Sequence, residues 1–237
     1  MREKIVGIIG GMGPEATVDL MARVIKATPA LDDIDHIRMV VDNNPKVPSR
    51  IKALIEKTGE NPLPCLQDMA RKLAAWGVDF LAMPCNTAHV YYSGIQEAVD
   101  IPLLNMIDLA VETVISENSD IETVGLLAST AVFNLQLYES RFAEKGIRLI
   151  FPGPSLQSKV MTAIRKIKTG GYGPEVVGVI QAAADDMIEQ NSDALLVACT
   201  ELSIVSPQVK VKKPCLDAAQ ILAEAVVEFA KGRMRRV

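Results

Sequence analysis

With 237 residues, 49% of them hydrophobic and 23% charged, the chain has the make-up of a soluble globular protein long enough to bury one large core or two smaller ones. A net charge of −4, with no run of Lys and Arg before the tail Lys231–Arg236, excludes nucleic acid as the main partner, and no apolar stretch reaches the roughly 20 residues of a membrane span. Four cysteines without a C-x-x-C pair, and only two histidines (His36 and His89), argue against both a disulfide scaffold and a metal site.

In chain order, Met1-Arg2-Glu3-Lys4 runs directly into an apolar strand without a signal-peptide core, which sets the expected compartment as the cytoplasm. That strand, Lys4–Ile9, ends in Gly10-Gly11-Met12-Gly13-Pro14-Glu15, and a helix follows over Glu15–Ala27. Strand, glycine turn and helix with Pro near its start form an anion cradle suited to a carboxylate or phosphate. Gly11 to Ala16 also fits G-x-G-x-x-A, and Asp42 ends the next strand, as in a dinucleotide fingerprint. A nicotinamide-dependent oxidoreductase is therefore one rival reading, although it leaves the second half of the chain without a role.

The strand His36–Val41 leads into Asp42-Asn43-Asn44-Pro45-Lys46-Val47-Pro48-Ser49-Arg50, a loop stiffened by its prolines. Arg50 there is either a surface residue or a bidentate fork for a carboxylate. A helix over Leu66–Ala75 precedes the strand Val78–Met83, which delivers Cys85, Asn86 and Thr87. Further strands are expected at Pro102–Ile107, Thr123–Leu127, Arg148–Phe151, Asp193–Ala198 and Lys213–Leu216, with helices at Val176–Ile188 and Ala218–Ala230. Such alternation of near-continuous apolar strands with helices implies parallel α/β sheets covered on both faces.

The chain also echoes itself. Val78-Asp79-Phe80-Leu81-Ala82-Met83-Pro84-Cys85 is matched by Ser192-Asp193-Ala194-Leu195-Leu196-Val197-Ala198-Cys199, each with an Asp six positions before its Cys, and Val6-Gly7-Ile8-Ile9 by Val124-Gly125-Leu126-Leu127. Two similar α/β halves follow, each with one cysteine at the carboxyl end of a strand, where open α/β sheets bind ligands. The expected domains are 1–108 and 109–211, with a C-terminal segment 212–237 that packs back on the first.

A buried free cysteine is commonly just a packing residue, and Cys65 and Cys215 are read that way. Cys85 and Cys199 occupy matching places and are each followed by polar residues. A thiol has an ordinary pKa of about 8.5, so both protonation states are within reach near neutrality, and a helix N-terminus is expected to lower it. Racemisation at a Cα needs that pairing, a base on one face and an acid on the other. His89 reads as a helix-surface or capping residue rather than a base.

The landmarks Gly10-Gly11-Met12-Gly13-Pro14, Asn43-Asn44-Pro45 through Arg50, Met83-Pro84-Cys85-Asn86-Thr87-Ala88-His89 and Ala198-Cys199-Thr200-Glu201 together resemble the aspartate/glutamate racemase family, most closely its aspartate racemase branch. The resemblance covers nearly the whole chain. It implies two pseudosymmetric parallel-sheet α/β domains with the active site in the cleft between them, no pyridoxal phosphate and no metal, a small acidic amino acid as substrate, and a homodimer. It also implies that Cys85 and Cys199 are catalytic, and that Met12, Arg50, Asn86, Thr87, Lys168, Thr200 and Glu201 bind the substrate. Lys166 is the neighbouring alternative to Lys168. Val132, Arg165 and Leu222 depart from the pattern and bear on the choice of substrate. Other readings are a related hydantoin racemase or maleate isomerase type of enzyme, and a non-catalytic protein that binds an acidic ligand.

Overall fold

A computed structural model describes residues 3–117 and 120–234. Arg235 and Arg236 of the basic tail, and the outermost positions of the expected domains, lie outside them. The strands are β1 (Val6–Gly10), β2 (Met39–Asn43), β3 (Phe80–Ala82), β4 (Thr123–Ala128), β5 (Arg148–Ile150), β6 (Ala194–Ala198) and β7 (Cys215–Asp217). The α-helices are α1 (Pro14–Ala27), α2 (Leu63–Ala75), α3 (Tyr92–Gln96), α4 (Met106–Glu117), α5 (Thr130–Asn134), α6 (Glu139–Ala143), α7 (Pro154–Ile167), α8 (Pro174–Glu189), α9 (Thr200–Val205) and α10 (Ala218–Ala230).

The strands form two parallel sheets, β2-β1-β3 and β5-β4-β6-β7. The chain up to Leu109 forms one compact unit with the segment from Gln220 onward; Ala110–Ala219 forms the second. The central strands β1 and β4 are buried along their whole length, as parallel strands covered on both faces must be. Each unit has its own core. Ile9, Leu66, Met69, Leu73, Leu81 and Leu103 pack in the first, and Leu127, Val160, Ile164, Ile180, Met187 and Leu195 in the second. Among the described residues no helix is long and apolar enough to cross a membrane.

The internal repeat now has a physical basis. The Asp79 amide donates to the Ile5 carbonyl at 2.8 Å while its carboxylate accepts from the Ile5 amide at 2.7 Å. Asp193 repeats this in the second unit: its amide donates to Thr123 at 2.8 Å, and its carboxylate accepts from the Thr123 and Glu122 amides at 2.9 and 3.1 Å. Each Asp thus staples the start of the cysteine-bearing strand to the start of the central one. The glycine of each opening strand has an equally local cause. A Cβ on Gly7 would lie 2.8 Å from Leu81, and one on Gly125 would lie 2.6 Å from Leu195.

These backbone hydrogen bonds favour the ionised form of Asp193 and hold its carboxyl below the ordinary carboxylate range. A depressed carboxyl adds stability above its unfolded pKa, and that contribution is lost as pH falls through the folded value. Asp193→Ala is expected to cost about 1 kcal/mol at neutral pH, the worth of solvent-screened hydrogen bonds. In denaturant titrations the gap from the unaltered protein should close below about pH 4, the unfolded carboxyl range.

Two segments differ from the sequence expectation. Pro102–Ile107 is not a full strand: only Leu103 bridges to Leu81, with the Leu81 amide donating to the Pro102 carbonyl at 2.8 Å. The side chain of Asn105 then accepts from the Ile107 and Asp108 amides and starts α4, cutting the strand short. The second unit keeps the fuller form, with the Leu195 amide donating to the Pro214 carbonyl and β7 continuing beyond it. Residues 212–219 therefore stay with the second sheet, and the chain joins the first unit from Gln220 rather than from 212. There the ring of Phe229 on α10 packs on Phe80 with centroids 4.7 Å apart, and the Lys4 amide donates to the Ala230 carbonyl.

Candidate active site

In the first unit the site residues gather at the carboxyl ends of β1, β2 and β3. The turn after β1 presses against the loop after β2. Gly11 has φ +91°, and a Cβ there would lie 2.2 Å from the carbonyl carbon of Asn44. This contact and the left-handed backbone account for the glycine at position 11 without a nucleotide. The Gly11 amide, which the sequence offers to an anion, instead donates to Thr17 Oγ1 at 2.9 Å, and Thr17 donates on to the Gly13 carbonyl at 3.2 Å. Because the close neighbour is backbone and cannot swing aside, Gly11→Ala is expected to destabilise the first unit by about 1–3 kcal/mol, the usual cost of a strained backbone position, read as a lower denaturation midpoint.

Arg50 is half-buried and ties the two loops together. Its guanidinium donates to the carbonyls of Pro48 at 3.1 Å, Met12 at 3.3 Å and Val47 at 3.4 Å. Burial raises the pKa of the Tyr91 hydroxyl, and the Arg50 charge beside it opposes that rise. Met12 enters the structure through both ends, its side chain in the first core and its carbonyl on Arg50.

Cys85 follows β3 by three residues and is 6% exposed. Its amide donates to the Met83 carbonyl at 2.8 Å, and its carbonyl accepts from the Ala88 amide at 3.2 Å. Asn86 is buried, and Thr87, which opens a short 3-10 turn, is half-buried. His89 is not on the surface. It is 7% exposed, with Nδ1 2.9 Å from the Cys85 carbonyl and Nε2 accepting from the Met106 amide at 3.1 Å.

In the second unit Cys199 follows β6 directly and caps α9. It is 5% exposed, and its thiol donates to Glu201 Oε2 at 3.2 Å. The other oxygen of Glu201 accepts a hydrogen bond from Lys168, which lies just past α7 with its side chain 33% exposed. Lys166 instead pairs with Glu175 on an exposed surface. Thr200 is buried at the start of α9.

Contrary to the expectation for a thiol at a helix start, Cys199 is pushed well above its ordinary pKa. Burial is the main cause, and the Glu201 carboxylate beside it adds to the rise. Lys168 and the Leu202 amide act in the opposite direction without prevailing. The protonated thiol is therefore the favoured form of Cys199, with its hydrogen bond directed to the Glu201 carboxylate.

The other cysteines differ. Cys65 packs partly against the first core, as expected, with Asn44 donating to its sulfur at 3.6 Å. Cys215 is exposed on the edge strand β7 and is not the packing residue the sequence suggests. Val132 and Leu222 are buried, whereas Arg165 is exposed. Sequence reasoning misses the Thr17 clasp. A Thr in the first turn of a helix entered through a glycine turn is the available signal.

The family model described as Asp/Glu/Hydantoin racemase matches residues 9–226. The chain is 29% identical over 227 residues to the broad specificity amino-acid racemase RacX of Bacillus subtilis, covering 94% of this chain and 96% of that one. Among solved structures it is similar to the aspartate racemase of Picrophilus torridus, at 30% identity and a TM-score of 0.81, covering 96% of this chain and 94% of that one. The glutamate racemase of Francisella tularensis shares the fold at 18% identity and a TM-score of 0.65, covering 100% and 85% of the two chains.

Proposed function

Since the chain belongs to the Asp/Glu/Hydantoin racemase family, we propose that it is a cofactor-independent amino-acid racemase that interconverts L- and D-aspartate through Cys85 and Cys199. The observation that carries this reading is the pair of buried thiols at equivalent strand ends, one of them hydrogen-bonded to a carboxylate.

In the proposed reaction one cysteine, as thiolate, takes the Cα proton from one face. The other, as thiol, gives its proton to the opposite face. The enzyme ends with thiol and thiolate exchanged, and nothing is oxidised or reduced. Negative charge moves onto the α-carboxylate during transfer, and fixed hydrogen-bond donors lower the cost of that charge. Two anchors hold the substrate so that Cα meets both sulfurs. Arg50 and Lys168 are the cations for its carboxylates, and Lys168 would turn from Glu201 to a bound carboxylate. Met12, Asn86, Thr87 and Thr200 complete the binding set.

A broader substrate range is favoured by one observation. Lys168 is already neutralised by Glu201, so this half of the site offers an ion pair rather than an isolated cation. A zwitterionic amino acid suits such a pair, and RacX, the Bacillus relative, is described as having broad specificity. Incubating the protein with L-aspartate, L-glutamate and a panel of neutral amino acids, followed by chiral chromatography, tests the assignment. D-aspartate formed fastest supports it. Turnover of neutral amino acids alone would replace the substrate, and no D-amino acid from any of them would remove the activity.

A further inference from the structure

We infer that His89 is a positioning residue for the Cys85 thiol, acting as a neutral strut between the Cys85 carbonyl and the first amide of α4. The functional part of this inference rests on the proposed racemase reading. The strut itself does not.

His89 Nε2 accepts from the Met106 amide at 3.1 Å, so it carries no hydrogen. The proton of the neutral ring therefore sits on Nδ1, which donates to the Cys85 carbonyl at 2.9 Å. Both bonds are buried. A ring in the opposite tautomer, or a charged one, would set an N–H against the Met106 N–H. The imidazole is thus fixed in one protonation state and is unsuited to exchange protons with a substrate.

Its two partners have different importance. Met106 begins α4, and its amide belongs to the first turn of that helix, whose amides lack partners within the helix. Asn105 serves the next two amides and His89 serves this one. On the other side, the Cys85 peptide is fixed by Met83 through its amide and by Ala88 and His89 through its carbonyl. The sulfur hangs from that peptide. A neighbouring ring, Tyr92, lies nearly parallel to His89 with centroids 6.4 Å apart and donates from its hydroxyl to the Leu103 carbonyl at 3.2 Å. Residues 85–92 are therefore pinned at two places to the segment 103–106.

Three variants separate positioning from mere support. His89→Ala removes both bonds. In His89→Asn the amide nitrogen stands near Nδ1 and keeps the Cys85 bond. In His89→Gln the carbonyl oxygen reaches the Nε2 position and keeps the α4 cap. His89→Ala is expected to lower kcat by about 10²-fold with little change in KM, the cost of displacing a reacting group by ~1 Å. Asn should recover most of kcat, whereas Gln should recover thermal stability and not kcat. Alkylation by iodoacetamide, read peptide by peptide, should be several-fold faster at Cys85 relative to Cys65 in the Ala and Gln variants, and unaltered in Asn. Nitrogen NMR of the unaltered protein should show a neutral His89 with the proton on Nδ1.

Unchanged kinetics in His89→Ala, recovery of kcat by Gln rather than Asn, or a proton on Nε2 would each overturn the inference. If the unaltered protein racemises no amino acid, the proposed function fails. The alkylation ratio and the ring tautomer then still decide the strut, because neither depends on turnover.

Discussion

Cys199→Ala should lower aspartate racemisation by at least about 10²-fold, and Cys85→Ala should do the same, since a positioned proton-transfer group typically contributes 10²–10⁴. Both side chains are small and sit at the ends of intact strands, so the variants should stay folded, as circular dichroism can check. The two losses should not be alike in detail. Each variant keeps one thiol, and that thiol can still remove the proton from the enantiomer that presents it and return one to the same face. One variant should therefore exchange Cα hydrogen with solvent from L-aspartate only, and the other from D-aspartate only, without inversion by either. Full racemisation in either variant would refute the two-thiol scheme. Loss of racemisation with exchange from both enantiomers would assign the proton transfers to other groups.

Glu201→Gln should have the next largest effect. The carboxylate is one cause of the high pKa of Cys199, second to burial, and it also pairs with Lys168. Removing its charge takes away the second cause of the rise and leaves burial, which still favours the thiol, opposed by Lys168 and the Leu202 amide, which favour thiolate. The Cys199 thiolate should then form at lower pH than with Glu201 in place, a shift read from thiolate absorbance in a background with Cys65, Cys85 and Cys215 replaced by Ser. Turnover should fall by about 10²-fold, the lower end of what a positioned proton-transfer group contributes, because the Cys199 thiol loses the carboxylate that orients it and Lys168 loses its partner. A shift to higher pH would contradict the assigned role of the carboxylate.

The sequence makes the sheets legible because buried parallel strands need unbroken apolar runs. Val6–Gly10 and Ala194–Ala198 are such runs, and both are fully buried. It also makes the repeat legible, since Asp79 and Asp193, and Gly7 and Gly125, answer to contacts between neighbouring strands. Pro102–Ile107 misleads because apolar content alone does not show that Asn105 starts a helix there. The acid–base state of Cys199 is hidden for another reason. Two local features, the helix start and the Glu201 side chain, act in opposite directions, and burial decides between them. The Lys168 contact spans 33 residues and appears only once α7 and α9 have formed. His89 shows the same limit: a lone histidine near a cysteine motif cannot be told from a strut until both ring nitrogens have partners.

The central claim, two thiols acting on opposite faces of one Cα, is tested most directly by following L-aspartate in deuterated water to a few per cent conversion. With separate acid and base, the D-aspartate formed should carry deuterium at Cα while the remaining L-aspartate keeps its original hydrogen. D-aspartate that retains the substrate's own hydrogen would mean that a single base carries the proton across, and would contradict the account.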